Sequence, residues 1–391
     1  MSTNRGGGSR PRTPLDVDAL IDDPRTRIVV CCGSGGVGKT TTAAALALRA
    51  AERGRDVVVL TIDPARRLAQ SLGLEELDNV PRPVTGIDTG AGGRLDAMML
   101  DMKRTFDEVV EAHSSPEKAE AILSNPFYQA LSSSFAGTQE YMAMEKLGQL
   151  RAHDEWDLIV VDTPPSRSAL DFLDAPDRLG SFLDGRFIRL LTGPVRTGGR
   201  GYLRLLSAGF GWVSGTVSKV LGGELLQDVQ TFVTAMDTTF GGFRERAEQT
   251  YALLQRAETS FVVVATPEPD ALREASYFVE RLERDGMPLA GLVLNRVHRS
   301  ACTAASDGAL TEEQARAAAD RLTADGGHGL AASLLRIRAE AQRRATFDQR
   351  RAQRFDAAHP HVPVTTSPAM AGDVHNLAGL RTVSESLSHQ E

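Results

Sequence analysis

A glycine-rich segment near the N-terminus constrains the fold of this 391-residue chain more than any other feature. Residues 33–40 read Gly-Ser-Gly-Gly-Val-Gly-Lys-Thr and fit the pattern G-x-x-x-x-G-K-[ST]. The segment follows the apolar run Ile28–Cys32 and precedes the helical run Thr41–Arg53. Glycines in such a strand-to-helix turn let backbone N–H groups converge, and the helix N-terminus adds positive potential. This context predicts a phosphate-binding loop rather than a simple glycine-rich turn.

The chemistry of the loop residues predicts their roles around ATP and Mg²⁺. The lysine at position 39 is informative because only five of the 44 basic residues are lysines. Its charge would reach the β- and γ-phosphates, and Thr40 would place its hydroxyl on Mg²⁺. The nucleotide-binding residues expected from the motif are Gly33, Ser34, Gly35, Gly36, Val37, Gly38, Lys39, Thr40 and Thr41.

Two acidic residues end apolar runs elsewhere in the chain. Asp162 follows Leu158–Val161, where a P-loop protein needs a carboxylate for the hydration shell of Mg²⁺, so it is a predicted metal ligand through water. Asp63 follows Val57–Ile62. Near the γ-phosphate it would be the catalytic residue that orients or deprotonates water. Alternatively, it could cap the helix expected over Pro64–Gly73.

Short β-rich runs alternate with helical stretches along most of the chain. Most runs are apolar at consecutive positions, as strands covered on both faces require. The predicted strands are Ile28–Cys32, Val57–Ile62, Ala97–Leu100, Leu158–Val161, Phe261–Ala265, Leu289–Leu294 and Val362–Thr365. We therefore expect an α/β fold of the P-loop NTPase type, with a mostly parallel doubly wound sheet and an inserted α-helical subdomain.

The helical subdomain is expected because two long stretches contain no convincing strand. The chain also exceeds the roughly 250–300 residues at which single cores stop growing. The predicted organisation is a disordered tail at 1–14, α/β segments at 15–105, 151–168 and 259–391, and helical segments at 106–150 and 169–258.

Composition restricts the class of protein. A net charge of −7 argues against a dedicated nucleic-acid binder. No apolar run reaches the roughly 18–20 residues of a membrane helix, and the N-terminus has no apolar signal region, so we expect neither a secreted nor a spanning protein. Three cysteines, with Cys31 and Cys32 adjacent, cannot form a disulfide framework and indicate a reducing cytoplasm.

At these residues the chain resembles the arsenite-pump and guided-entry ATPase family, whose P-loop is a deviant Walker motif. The P-loop Gly33–Thr41, the switch-I-like Asp63–Leu68 and the switch-II-like Asp162–Ser166 carry the match. The segment from Val362 to Val374 is similar to the family's closing strand and adenine-side loop. The resemblance implies a dimeric ATPase in which ATP draws two subunits together and helical subdomains open or close an apolar surface.

The resemblance also implies an adenine site. Asn295, after the run Leu289–Leu294, would read the adenine edge, and the loop Pro368–Ala371 would pack near the base. Asparagine at a strand end is equally well a turn former, so both interpretations of Asn295 stay open.

The chain departs from the family pattern at three places. The family's lysine after the first P-loop glycine, which reaches the partner's phosphates, is Ser34 here. Where the family has a histidine in switch I, this chain has Arg66. Where the family has Thr-Gly-His in switch II, residues 166–168 of this chain read Ser-Arg-Ser. We therefore expect a homodimer to bind ATP well and hydrolyse it slowly, unless Arg66 or Arg167 substitutes. The alternative is a mixed dimer with a related ATPase subunit that supplies the lysine.

The small number of cysteines limits which ligands and metals the chain is expected to bind. The chain has no C-x-x-C to bridge a dimer through zinc and no cysteine trio for arsenite, since only Cys302 lies outside the first strand. We expect an ATPase whose helical subdomain handles a hydrophobic client or partner protein. The alternatives are a partition- or septum-site-type positioning ATPase on DNA or membrane, suggested by Asp162–Ser166, and a poorly hydrolysing nucleotide-binding subunit. The long helical insert favours the first reading over the positioning ATPase.

Overall fold

The computed structural model describes residues 14–63, 67–126, 128–129, 138–164, 245–246, 248–299, 310–326 and 328–388. These residues fall into two compact units. The first comprises those within Met1–Met99, Asp154–Ala169 and Leu254–Glu391. The second comprises those within Leu100–His153 and Leu170–Leu253.

The first unit contains one sheet of eight described strands, in the order β3-β4-β2-β5-β1-β6-β7-β8. All neighbouring pairs are parallel except β3 and β4, which are antiparallel. This confirms the predicted α/β class with a mostly parallel sheet. The strands are β1 Ile28–Cys32, β2 Asp56–Thr61, β3 Arg82–Pro83, β4 Arg94–Met99, β5 Leu158–Asp162, β6 Thr259–Ala265, β7 Leu289–Val297 and β8 Val364–Pro368.

The helices of the described chain connect these strands or form the second unit. Those of the first unit are α1 Val17–Asp22, α2 Lys39–Glu52, α3 Arg67–Ser71, α7 Pro269–Arg284, α8 Glu312–Ala324, α9 Gly329–Ala358 and α10 Leu377–Ser388. Those of the second unit are α4 Met102–His113, α5 Pro116–Leu123 and α6 Thr138–His153. Within the described ranges, no helix has both the length and the hydrophobicity needed to cross a membrane.

Of the seven predicted strands, only β1 has the predicted bounds, and the other six differ by one to three residues at one or both ends. β7 continues beyond Leu294 to Val297, because its ladder with β8 resumes after a register shift. β8 starts later than predicted, at Val364, and includes Pro368. The short β3 was not predicted, since two residues give no alternation of side chains.

The helix that follows the phosphate-binding loop is unusually well buried. Six of its alanine side chains have no exposed surface, and the helix packs among the strands and α10. Alanine lets a helix approach its neighbours closely without loss of side-chain entropy. The first turn of α2, which begins at Lys39, is thereby held rigidly against the sheet. The six alanines are Ala43, Ala44, Ala45, Ala47, Ala50 and Ala51.

Candidate nucleotide-binding site

The carboxyl ends of the parallel strands gather the predicted site residues at one edge of the sheet. The loop 33–40 follows β1, Asp63 follows β2, and Asp162 ends β5. Register places Asp162 beside Cys31 of β1 on one side and Thr61 of β2 on the other. A cavity of about 1040 Å³ opens at this edge. Of the predicted residues, it is lined by Gly36, Gly38, Lys39, Thr40, Thr41, Asp63, Asn295 and Pro368.

Two glycines of the loop are required by their surroundings. Gly33 has φ +148°, and a Cβ there would lie 2.1 Å from the carbonyl oxygen of Val264 in β6. Gly38 has φ +96°, and a Cβ there would lie 2.2 Å from the side-chain nitrogen of Asn295. Any other residue at either position would collide or strain the backbone. The loop therefore depends on contacts with β6 and β7 as well as on its own sequence.

Lys39 begins α2 and is almost fully buried, with 5% of its surface exposed. Its Nζ donates a hydrogen bond to the backbone oxygen of Ser34 at 2.8 Å. Burial lowers the pKa of Lys39, while the charges of Asp162 and Asp63 raise it in compensation. The ammonium group thus lies at the cavity, where the charges of two carboxylates favour its protonated form.

Asp162 is completely buried at the end of β5. Burial raises the pKa of its carboxyl from 3.8 to about 6, and the Thr40 and Thr61 hydroxyls and Lys39 act in the opposite direction. Its Oδ2 accepts a hydrogen bond from the Thr61 hydroxyl at 2.9 Å. A buried carboxylate of this kind is destabilised unless a cation or further donors approach it.

The donor set around Asp162 fits Mg²⁺. Oδ1 of Asp162 is buried and has no hydrogen-bond partner within the described structure. The Thr40 hydroxyl interacts with this carboxylate and also lines the cavity. Magnesium prefers hard oxygen ligands and usually retains several waters. Thr40 and the unpartnered oxygen of Asp162 could therefore hold the ion, the latter through water.

Asp63 lies on the cavity wall just beyond β2 and is partly exposed. Its backbone N–H donates to the Thr61 hydroxyl, at an N···O distance of 3.2 Å. The charge of Asp63 acts to raise the pKa of both Lys39 and Asp162. Thr61 therefore contacts both acidic residues, a connection that the sequence did not predict. The structure describes no residue between Asp63 and Arg67, so the capping interpretation of Asp63 stays untested.

Asn295 lies inside β7, because that strand extends past the predicted end at Leu294. Its Nδ2 donates to the backbone oxygen of Val37 at 2.9 Å, and its Oδ1 accepts from the N–H of Arg296 at 2.9 Å. Pro368 lies at the end of β8 on the same cavity wall. The adenine-reading role of Asn295 and Pro368 stays a prediction. The alternative, in which Asn295 forms a turn after the strand, does not apply, because Asn295 lies within the strand.

Ser34 is 93% buried, and its hydroxyl has no hydrogen-bond partner in the described part of the chain. It lines a second cavity of about 230 Å³ beside the loop, together with Gly35 and Val37. The side chain is therefore short, neutral and enclosed. The sequence-based expectation that it supplies no charge across an interface is consistent with this position.

Sequence reasoning missed several cavity residues. Arg67 and Gln70 of α3 line the main cavity, and Arg67 brings a positive charge to it. Thr163 also lines it, and its hydroxyl donates to the Cys31 carbonyl at 2.9 Å. A motif pattern gives little weight to such residues because they come from segments with no distinctive spacing. The others are Ser71, Arg296, His375 and Val383, whereas the cavity residues Ala369, Met370, Ala371, Gly372, Asp373 and Val374 belong to the segment that the resemblance assigned to the adenine side.

Cys31 and Cys32 lie inside the sheet. Burial raises the pKa of Cys31 well above its usual value and raises that of Cys32 to about 12. Both thiols therefore stay protonated and pack as small apolar groups.

Several predictions fall on residues outside the described ranges. They concern the tail at 1–13, Arg66, Arg167, Cys302 and the helical segment from 169 to 244.

The family model and three known proteins that this chain resembles all carry the name ATPase. A family model for anion-transporting ATPases matches residues 26–307. A Cryptosporidium parvum protein named ATPase ASNA1 homolog is 27% identical over 266 residues, covering 68% of this chain and 63% of that protein. ATPase GET3B of Arabidopsis thaliana is 25% identical over 307 residues, covering 74% of this chain and 68% of that protein. A putative arsenical pump-driving ATPase of Halobacterium salinarum is 31% identical over 189 residues, covering 44% and 28% respectively. The chain thus spans less than two thirds of the Cryptosporidium protein.

Proposed function

The chain belongs to the anion-transporting ATPase family, and we propose that it is a Mg²⁺-dependent ATP-hydrolysing switch that works as a dimer. Its second, helical unit would handle a hydrophobic client or partner protein rather than arsenite. The family membership confirms the resemblance that the P-loop and the two switch-like segments predicted. The names of the relatives, all of them ATPases, support the reaction.

The observation that carries the proposal is the convergence of four side chains on one cavity edge. Lys39, Thr40 and Asp63 line the cavity, and Asp162 is buried beside Thr61 at the same edge of the sheet. A charge for the phosphates, a hydroxyl and a carboxylate for Mg²⁺, and a second carboxylate for water are the parts that phosphoryl transfer requires. A simple anion-binding loop needs only the first of these.

Each residue has a distinct task in this mechanism. The loop N–H groups and Lys39 bind the β- and γ-phosphates and stabilise charge that develops during transfer. Mg²⁺, when bound, would neutralise the same phosphate charge, and Thr40 and Asp162 would hold it, the latter through water. Asp63 accepts a hydrogen bond from the attacking water and orients it. It takes the water's proton as the water oxygen bonds to the γ-phosphorus, while the bond from that phosphorus to the β,γ-bridging oxygen breaks and ADP leaves with the bridging oxygen.

Ser34 favours a second version of this function. A short, buried hydroxyl cannot carry a charge to another subunit, so the chain would bind ATP and hydrolyse it slowly as a homodimer. The trans-acting lysine implied by the family resemblance would then come from a related subunit in a mixed dimer. Arg67 is one described residue that could replace that charge within the same chain, because it lines the cavity, as Arg296 also does.

We place the protein in the cytoplasm. With only three cysteines, two of them adjacent, the chain has no disulfide framework, and this favours a reducing compartment.

The proposal is tested by steady-state ATP turnover of the purified chain with and without Mg²⁺, and by light scattering with and without nucleotide. We expect Mg²⁺-dependent turnover and nucleotide-dependent dimerisation. Salt-sensitive, ATP-dependent binding to nonspecific DNA would instead favour the positioning ATPase. Absence of ATP binding in the wild-type chain would contradict both versions.

A further inference from the structure

We infer that Asn295 is a positioning residue for the phosphate-binding loop, which it holds through the backbone carbonyl of Val37. The inference rests on the proposed nucleotide-binding function. It gives Asn295 a task that is independent of the base, because the contact is made to the protein's own loop. The two roles have different experimental signatures.

The orientation of the Asn295 amide is fixed by its two partners. Nδ2 lies 2.9 Å from the Val37 oxygen, and Oδ1 lies 2.9 Å from the backbone nitrogen of Arg296. The reversed amide would put an oxygen against a carbonyl and an NH₂ group against an N–H. Only the observed orientation satisfies both neighbours, so the donor must face the loop.

The loop is shaped to receive this amide. At Gly38, the space that a Cβ would occupy is taken by Nδ2 of Asn295, which would be only 2.2 Å away. Gly38 also has φ +96° and directly precedes Lys39 at the start of α2. The side chain of Asn295 therefore fits against the point where the loop becomes a helix. A shift of this point would move both the converging N–H groups and the lysine.

The backbone of β7 is distorted at this position. Arg296 has φ +57°, a left-handed conformation that is uncommon for residues with a side chain. The pairing of β7 with β8 shifts between Leu294 and Val297. Strained backbone persists where the surroundings determine it strongly, and it concentrates at functional sites. Here the distortion is the point at which Asn295 faces the phosphate-binding loop.

The end of β7 contacts both walls of the nucleotide cavity. Asn295 holds the phosphate-binding loop, and the Val297 carbonyl accepts a hydrogen bond from the N–H of Ala369 at 3.0 Å. Ala369 belongs to the segment on the other wall. A change at Asn295 should therefore alter the phosphate side of the cavity even when no base is present.

Inorganic tripolyphosphate separates the two roles because it has phosphates and no base. We would measure calorimetric affinities of Mg-ATP, Mg-GTP and Mg-tripolyphosphate for the wild type, Asn295→Ala and Asn295→Asp. Asn295→Asp keeps an oxygen for the Arg296 N–H and loses the donor to Val37. Asn376→Ala is the matched control, since Asn376 also bonds a backbone N–H, that of Gly379, and does not line the cavity.

We expect both Asn295 variants to weaken tripolyphosphate and ATP by a similar factor, about tenfold or more, as loss of a buried hydrogen bond predicts. The control Asn376→Ala should change neither affinity by more than about twofold, because it removes only one exposed hydrogen bond that lies outside the cavity lining. Unchanged tripolyphosphate binding with a lost preference for ATP over GTP would overturn the inference and leave nucleotide binding intact. Failure of the wild type to bind either ligand would overturn the proposed function and the inference with it.

Hydrogen exchange gives a readout that needs no ligand. In the ligand-free protein, Asn295→Asp should speed exchange of the amides in residues 35–40 while leaving β1 unchanged. Equal exchange of the loop in the wild type and in Asn295→Asp would overturn the inference even if both Asn295 variants bind ligands poorly.

Discussion

The ammonium group of Lys39 donates a hydrogen bond to the backbone carbonyl of Ser34, 2.8 Å away in the same loop. The lysine of the phosphate-binding motif thus has a neutral partner within its own loop. This contact satisfies one of the three donors of a nearly buried cation. It also holds the ammonium group against the loop, so less ordering is needed when phosphate binds.

We expect Lys39→Met to lose most ATP binding. The variant keeps much of the apolar stem and removes the charge, so it tests the ionic contribution alone. Hydrogen bonds to charged groups contribute about 1.5–3 kcal/mol each, which predicts an affinity about 10- to 150-fold weaker. Isothermal titration calorimetry with Mg-ATP measures this change. A loss smaller than about threefold would mean that Lys39 does not contact the phosphates.

Asp63→Asn should separate binding from chemistry. Asparagine keeps the size of the side chain but cannot accept a proton from water, and loss of a general base typically costs about 10²–10⁴ in rate. ATP affinity should stay within about threefold, because the loop and Lys39 are unchanged. Single-turnover hydrolysis under saturating Mg-ATP is the measurement. Wild-type turnover by this variant would remove Asp63 from the mechanism.

Asp162→Asn should change the pH dependence of stability. The pKa of Asp162 is raised to about 6 in the folded protein, so the folded state keeps this proton to higher pH than the unfolded state. Ionisation of the buried carboxyl therefore lowers stability as pH rises from about 4 to about 6, by up to about 3 kcal/mol. The variant removes this cost.

Urea unfolding of the nucleotide-free protein at pH 4.5 and pH 7 tests the sign. The free energy of unfolding of Asp162→Asn minus that of the wild type should be larger at pH 7 than at pH 4.5. It should also lose the extra stabilisation that Mg²⁺ gives in the presence of ATP. A stability difference independent of pH would show that the carboxyl is not perturbed as its burial indicates.

The sequence predicted the strand-end residues well because of a general property of parallel sheets. Apolar runs identified the strands, and the acidic residue that ended each run had to lie at the carboxyl edge. Asp63 and Asp162 were found in this way, and the motif located Lys39. None of these predictions required knowledge of long-range packing.

Long-range packing accounts for what the sequence did not reveal. The contact between Asn295 and Val37 joins residues 258 positions apart, and it depends on a bulge in β7 that no residue pattern marks. Thr61 links the two acidic residues only because β2 and β5 are neighbours. Arg67 reaches the cavity from a helix of five residues, too short for a periodic signal.

Arg67→Ala should slow hydrolysis more than it weakens binding. Arg67 lines the cavity and is exposed, so its guanidinium is free to approach the phosphates. If it supplies the charge that Ser34 cannot, the single-turnover rate should fall by at least about tenfold, within the range known for catalytic arginines. Arg67→Lys should recover part of the rate. Equal rates in the wild type and Arg67→Ala would exclude Arg67 as the substitute for the missing lysine.

Ser34→Lys should speed hydrolysis by the homodimer. The family resemblance implies a lysine at this position that stabilises charge on the partner's phosphates, and a cation acting in trans is typically worth about 10³–10⁵ in rate. We expect at least a tenfold faster single turnover in the variant, with ATP affinity changed by less than about fivefold, because the rest of the loop is retained.

Ser34→Gln is the matched control for that experiment. Ser34 is 93% buried, so any longer side chain must leave its enclosed position, and glutamine imposes this rearrangement without adding charge. A gain in rate seen with lysine and absent with glutamine would assign the effect to the charge. It would also support the mixed dimer, since the native chain would then lack a group that its own active site can use. Fast turnover of the unmodified homodimer, unimproved by Ser34→Lys, would show that position 34 does not limit hydrolysis.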